Sequence, residues 1–176
     1  MKDTMQKLIS ILVLFAALLA GCASEPKPEP KGFQHTHSED HLKDMRDDAA
    51  RLAALPEHSA PEVEVQHLLV SFAGAGTEAV RTRQEAENLA AELYARVLKG
   101  ESFDELITKY TDDSPPGIYA MVADKSKASN TGPYWRKGMV PAFGNVAWRL
   151  EVGEVAIAVF GKEASPYGWH IIKRLK

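Results

Sequence analysis

Met139 and Phe143 stand four residues apart at the start of an expected helix, so both side chains leave the same face. Two bulky apolar groups placed this way either wall an apolar pocket or pack as ordinary core, and spacing alone leaves both readings open. Two imidazoles, His67 and His170, fall in the middles of the first and last strand-like segments, where a ring can orient neighbouring hydroxyl or carboxylate groups through its tautomer. Asp113 belongs to the run Thr111, Asp112, Asp113, Ser114, Pro115, Pro116, Gly117, a turn in which a carboxylate caps the chain ahead of a proline. His35, His37 and His41, with Glu39 and Asp40 between them, are donors suited to zinc or nickel. Their segment has no expected fixed geometry, so no metal site is expected. Cys22 is the only cysteine, and the fold therefore rests on no internal disulfide.

The rest of the chain must supply the elements that carry these groups. Its 176 residues hold 21 Lys plus Arg against 24 Asp plus Glu, with 45% hydrophobic residues; such a composition folds rather than staying disordered. Removing residues 1–21 takes Lys2, Lys7 and Asp3 with it and leaves a net charge of −4. A mildly acidic body is unsuited to nucleic acid, which is not expected as a partner. Lys2 and Lys7 precede an uncharged, apolar run from Leu8 to Gly21. That run has the length of a signal-peptide core and falls short of the roughly 20 residues needed to cross a bilayer as a helix. Residues 1–21 are therefore expected to be an export signal. Residues 22–38 place Pro26, Pro28, Pro30 and Gly32 among Lys and Glu, and read as a flexible, solvated tether. Within residues 39–60, Leu42, Met45, Ala49, Leu52 and Leu55 recur at steps of three or four, predicting an amphipathic helix capped by Ser38 and stopped by Pro56. Its apolar face would pack on the following domain, on another copy, or on a partner.

Residues 61–176 are enough for one small domain. Glu62–Phe72 alternates in part and is rich in Val and Leu, predicting a strand closed by the turn Gly74, Ala75, Gly76. Thr77–Leu98 places Val80, Ala86, Leu89, Ala90, Leu93 and Val97 on one face, predicting a long helix that ends before Gly100. Shorter helices are expected over Phe103–Tyr110 and Val140–Leu150, and strands over Glu154–Phe160 and Tyr167–Leu175. Strands and helices in this irregular order point to an α+β domain with a small, mainly antiparallel sheet.

Six segments carry a resemblance: Val65 to Val70; Gly100 to Leu106; Tyr110, Thr111, Asp112, Asp113; Met139 to Phe143; Val152 to Val155; and Tyr167 to Lys173. In this order and spacing they resemble the motifs of parvulin-type peptidyl-prolyl cis-trans isomerases across residues 63–176. The resemblance implies a four-stranded, mainly antiparallel sheet flanked by helices, with the first and last strands as central neighbours. It also implies rotation about an X-Pro bond, a step that breaks no bond and for which no cofactor is expected. His67 and His170 would be the paired histidines beneath the site, in a supporting or a direct role. Asp113 would take the place of the family's cysteine or aspartate beside the rotating bond, unless it only caps its turn. Met139 and Phe143 would grip the proline ring, Thr111, Ser165 and Tyr167 would border the pocket, and Thr131 would stand where the family has a pocket leucine.

Two departures accompany this resemblance. Residues 118–131 are longer than the family's compact segment. Either Tyr134 and Trp135 supply the missing wall, or the domain is a non-catalytic chaperone or assembly factor that holds unfolded chains. Ser71–Gly76 contains neither Lys nor Arg, so the bidentate grip that a phosphoserine reader needs is absent there.

Leu19, Ala20, Gly21 and Cys22 in turn resemble the bacterial lipobox. This implies cleavage before Cys22, a diacylglycerol thioether on its thiol and a membrane anchor on the extracytoplasmic side. With Ala23 next, the periplasmic face of the outer membrane is the expected location in a Gram-negative cell. The implied partners are unfolded or partly folded exported proteins with X-Pro bonds, and the membrane through the lipid.

Overall fold

The computed structural model describes residues 33–176; the expected export signal, Cys22 and residues 23–32 of the expected tether lie outside the described residues. β1 (Glu62–Val70) is the centre of a five-stranded sheet. β5 (Trp169–Arg174) pairs with it on one side and β2 (Ile118–Val122) on the other. β4 (Val155–Ala158) continues beyond β5, and β3 (Tyr134–Trp135) beyond β2. β3 runs parallel to β2 and every other pair is antiparallel. The sheet thus has one strand more than the four expected. The additional strand is a two-residue edge, too short to announce itself by periodicity.

Both faces of the sheet are covered. One directs Leu68, Val70, Trp169 and Ile171 into a core shared with α2 (Arg83–Leu98), α3 (Phe103–Tyr110) and Met45 of α1 (His41–Ala54). The other directs Val63, Val65 and Ile172 against Phe143 and Ala147 of α4 (Pro141–Ala147), with Trp148 and Leu150 beyond it. A strand clad on both sides loses its polar alternation, which is why β1 alternates only in part although its partners are antiparallel.

Local chemistry moves two helix starts away from their expected places. Thr82 and Glu85 form a reciprocal capping box, so α2 begins at Arg83. Residues 77–82 become a loop and Val80, expected on the buried face, is 92% exposed. α1 is capped by Asp40, whose carboxylate accepts the Lys43 N–H at 3.0 Å. Ser38, the expected cap, instead donates its N–H and hydroxyl to Asp44, both at 2.7 Å. Met45 and Leu52 are fully buried against the domain, each contributing about 1.5–3 kcal/mol. Of the three packing choices open to α1, the domain itself is the one taken.

Residues 33–38, tether by composition, are laid against α1 and the sheet. The buried Asp48 carboxylate accepts the Thr36 N–H at 2.8 Å and the Tyr94 hydroxyl at 3.0 Å, and faces His35 Nδ1 at 3.1 Å. The Phe33 N–H donates to Glu154 at 2.6 Å. His35 is therefore engaged inside the fold, and among the described residues no three His, Cys, Asp or Glu side chains converge on a common point.

Gly117, which closes the turn before β2, has φ of +69° and accepts the His67 N–H at 2.9 Å. A Cβ there would lie 2.4 Å from the His67 carbonyl oxygen. Gly117→Ala is expected to cost about 1–3 kcal/mol through the left-handed backbone alone, with the contact adding to it. A lowered urea midpoint is the readout, and an unchanged midpoint would show that the β1 backbone yields freely at His67.

Candidate active site

A cavity of about 290 Å³ lies on the α4 side of the sheet. Leu69, Met139, Val140 and Phe143 form its apolar walls, His67 and His170 its floor, and Asp113 and Tyr119 one side. Thr77 and Tyr167 stand at the rim. Tyr167 is 45% exposed and Met139 is half-buried, so the cavity meets solvent rather than being sealed as core.

The sheet register brings the floor together. His67 and Leu69 are two apart on β1 and share a face. His67 pairs with Ile172 and Leu69 with His170, so the two histidines are diagonal neighbours across β1 and β5. Their rings stack at 5.4 Å with 22° between planes, and the Nδ1 atoms lie 3.2 Å apart. Phe143 stands edge-on to His67 at 5.0 Å and to His170 at 5.7 Å. Met139 reaches the same cavity from outside the helix: α4 begins at Pro141 with Val140 as its cap, and Met139 ends a 3-10 turn over Arg136–Gly138. The expected convergence of Met139 and Phe143 is therefore produced by a turn-to-helix junction rather than by helical spacing.

Asp113 gives the floor its polarity. Its Oδ2 lies 3.1 Å from His67 Nε2 and accepts the Tyr119 hydroxyl at 3.1 Å, while Oδ1 accepts the Ser114 N–H at 2.8 Å. The His67 hydrogen bond holds the Asp113 pKa down at about 2. Burial, and then the Asp113 charge, push the Tyr119 hydroxyl up to about 12. Burial above all, with the neighbouring His67, lowers His170 to about 3. An ionised carboxylate only accepts, so His67 Nε2 carries the hydrogen. In the tautomer where His67 Nδ1 is unprotonated, it accepts from the His170 Nδ1–H. This leaves His170 Nε2 as a buried acceptor, and among the described residues it is the one buried side-chain nitrogen or oxygen without a partner.

The remaining expected residues divide by role. Tyr167 borders the cavity. Thr111 does not line it but positions Asp113: its hydroxyl accepts the N–H of Leu69 at 3.2 Å and of Asp113 at 3.3 Å. Ser165 is fully buried and donates to the Gly168 carbonyl at 2.7 Å, shaping the turn that presents Tyr167. Thr131 is not brought to the site. Ser129 donates to the Gly132 carbonyl at 2.7 Å and accepts the Thr131 N–H at 3.3 Å, a tight turn that keeps Thr131 exposed.

The wall expected from Tyr134 and Trp135 is supplied by Tyr119, with Tyr134 5.8 Å behind it. Tyr119, like Leu69, lines the cavity without having been marked by residue type or spacing. The run Ile118 to Val122 after a Pro-Gly turn was the available strand signal. Near the rim Arg81 donates to the Ser71 carbonyl at 2.9 Å and pairs with Asp112.

Residues 67–176 match the family model described as rotamase, PPIC-type PPIase domain. The chain is similar to the chaperone SurA of Chromohalobacter salexigens, with 31% identity over 153 residues covering 87% of this chain and 29% of that protein. It is also similar to the foldase protein PrsA 2 of Bacillus anthracis, 29% identical over 117 residues, covering 66% of this chain and 32% of that one. A third relative is the foldase protein PrsA of Caldanaerobacter subterraneus subsp. tengcongensis, 33% identical over 87 residues, covering 49% and 24% respectively. The chain therefore spans about a third or less of the length of these relatives. The family match covers well over half of the residues and takes in both histidines, Asp113, Met139 and Phe143: this chain belongs to the rotamase family of PPIC-type PPIase domains.

Proposed function

We propose that the chain is a peptidyl-prolyl cis-trans isomerase that assists the folding of exported proteins, acting on unfolded or partly folded segments that contain X-Pro bonds. The observation that carries this reading is an apolar cavity that meets solvent beside Met139 and is floored by the His67–His170 pair, with an ionised carboxylate on one side. Uncatalysed rotation takes about tens to hundreds of seconds because amide resonance resists it. Resonance places negative charge on the carbonyl oxygen and double-bond character in C–N. A proline ring gripped by Leu69, Met139 and Phe143 leaves its amide at the polar side of the cavity. There Asp113 disfavours the charge-separated planar form more than the twisted one, and this difference lowers the barrier. The paired imidazoles keep Asp113 and Tyr119 in place with an unbroken run of hydrogen bonds.

The proposal extends to the segments ahead of the domain. Residues 1–21 act as the export signal, Cys22 is lipidated, and residues 61–176 form the isomerase unit held at the extracytoplasmic face of an envelope membrane. Support comes from the charge, length and lipobox pattern of residues 1–22 and from relatives named as foldases.

The test is isomerisation of a proline peptide by the full chain, followed by NMR exchange. Met139→Ala, at a half-buried wall, is expected to lower kcat/KM by about 10-fold, the worth of one apolar pocket contact. Absence of acceleration by the parent, with its fold intact, would leave only the non-catalytic chaperone reading.

A further inference from the structure

Residues 124–138 carry Lys125, Lys127, Arg136 and Lys137 against Asp124 alone, in a chain of net charge −3. Arg136 is already committed, donating to both Glu57 oxygens at 2.8 and 2.6 Å. Lys125 and Lys137 make no ion pair among the described residues; Lys125 instead lies 4.9 Å over the Trp135 ring. A hollow of about 380 Å³ bounded by Lys125, Ser129, Tyr134 and Trp135 adjoins the proline cavity, because Met139 is a wall of both. Lys137 lines a further hollow that also meets Met139. The proline cavity itself also carries acidic groups. Asp112 and Asp113 line it and Glu78 follows the rim residue Thr77, with Arg81 offsetting Asp112 alone. A chain that leaves the cavity over Met139 therefore meets lysines without an ion-pair partner beside an aromatic shelf.

Building on the isomerase reading, we infer that substrate leaving the cavity over Met139 rests on Tyr134 and Trp135 and places an acidic side chain against Lys125, with Lys137 adding positive charge in the neighbouring hollow. The domain is thereby selective for prolines with Asp or Glu within about three residues, the reach of an extended chain across this hollow. Lysine in that position meets like charge, and this repulsion contributes as much to selectivity as the attraction does.

The experiment uses the full chain and peptides with one Ala-Pro centre, bearing Glu, Ala or Lys two and three residues before or after proline. NMR exchange gives kcat/KM, and NMR titration of the same peptides gives affinity independently of turnover. The Glu peptide is expected to exceed the Lys peptide by about three- to ten-fold on one side of proline only. The ratio should shrink at high salt, because the lysines are exposed. Lys125→Glu combined with Lys137→Glu should invert the order, and Lys125→Gln should give an intermediate ratio; urea midpoints confirm that each variant is folded. Equal affinity and rate for Glu and Lys peptides, or a preference untouched by the double reversal, would overturn the inference. Charge-selective affinity without acceleration of any peptide would uphold it and overturn the isomerase reading instead.

Discussion

Phe143→Ala is expected to abolish measurable isomerase acceleration and to cost about 3–5 kcal/mol of stability, the usual penalty for emptying an aromatic site. Phe143 is 2% exposed and presents its edge to His67, His170 and Tyr119. Truncation joins the vacated space to the proline cavity, so the pyrrolidine ring loses its principal wall and the imidazole floor loses the ring that holds its tilt. The two consequences are separable. Phe143→Leu retains apolar volume and is expected to restore most of the stability, while kcat/KM stays depressed by about 10-fold or more because a flat ring surface is gone. Urea denaturation and proline-peptide exchange on the same preparations provide the check. A folded Phe143→Ala chain with parental kcat/KM would remove this cavity from catalysis.

Stability should also fall as the pH drops from about 7 to about 5, by about 2 kcal/mol, through His170 alone. The direction follows from proton binding. The His170 pKa is about 3 in the fold against an ordinary 6.5, because burial, assisted by His67, disfavours the charged ring. Between those values the unfolded chain takes up a proton that the folded chain refuses. The contribution is complete above about pH 6.5 and is lost progressively toward pH 3. Asp113 acts in a lower window. Its pKa of about 2 lies below the ordinary 3.8, so its contribution is present above about pH 4 and is lost as the pH falls through about 2. Melting temperatures of the parent and of His170→Asn at the two pH values separate these effects. The asparagine keeps an N–H for His67 Nδ1 but does not titrate, and its profile is expected to be flatter by about 2 kcal/mol. Parallel profiles would show that His170 accepts a proton in the folded state.

Much of the site is legible in residue types and spacing alone. α3 runs over Phe103–Tyr110, the range expected from its apolar spacing. His67 and His170 are adjacent as the resemblance implied, and Met139 and Phe143 share one cavity. These features rest on local pattern or collinear motifs, which survive in one dimension. The capping box at Thr82 is equally present in the sequence, yet the apolar spacing that includes Val80 points to a start for α2 six residues too early. Tyr119 was hidden for a different reason. Its strand pairs Val65 with Tyr119, and a contact between residues 54 positions apart leaves no periodic trace. Thr131 was misplaced because correspondence by motif assumes equal loop lengths, whereas the turn centred on Ser129 takes up the additional residues on the surface.

The sequence by itself determined the composition class, the order of most strands and helices, and which side chains are chemically able to build an apolar cavity beside a carboxylate and two imidazoles. Those properties follow from side-chain identity and short-range spacing. The tertiary structure alone decided that β1 and β5 pair in the register that stacks the imidazoles. It also decided that Asp113 faces His67 rather than only capping its turn, and that Met139 meets solvent while Phe143 does not. The physical reason is that burial, hydrogen-bond partnership and proton affinity depend on what the chain brings close in space, and residues 67 and 170 become neighbours only once the sheet closes.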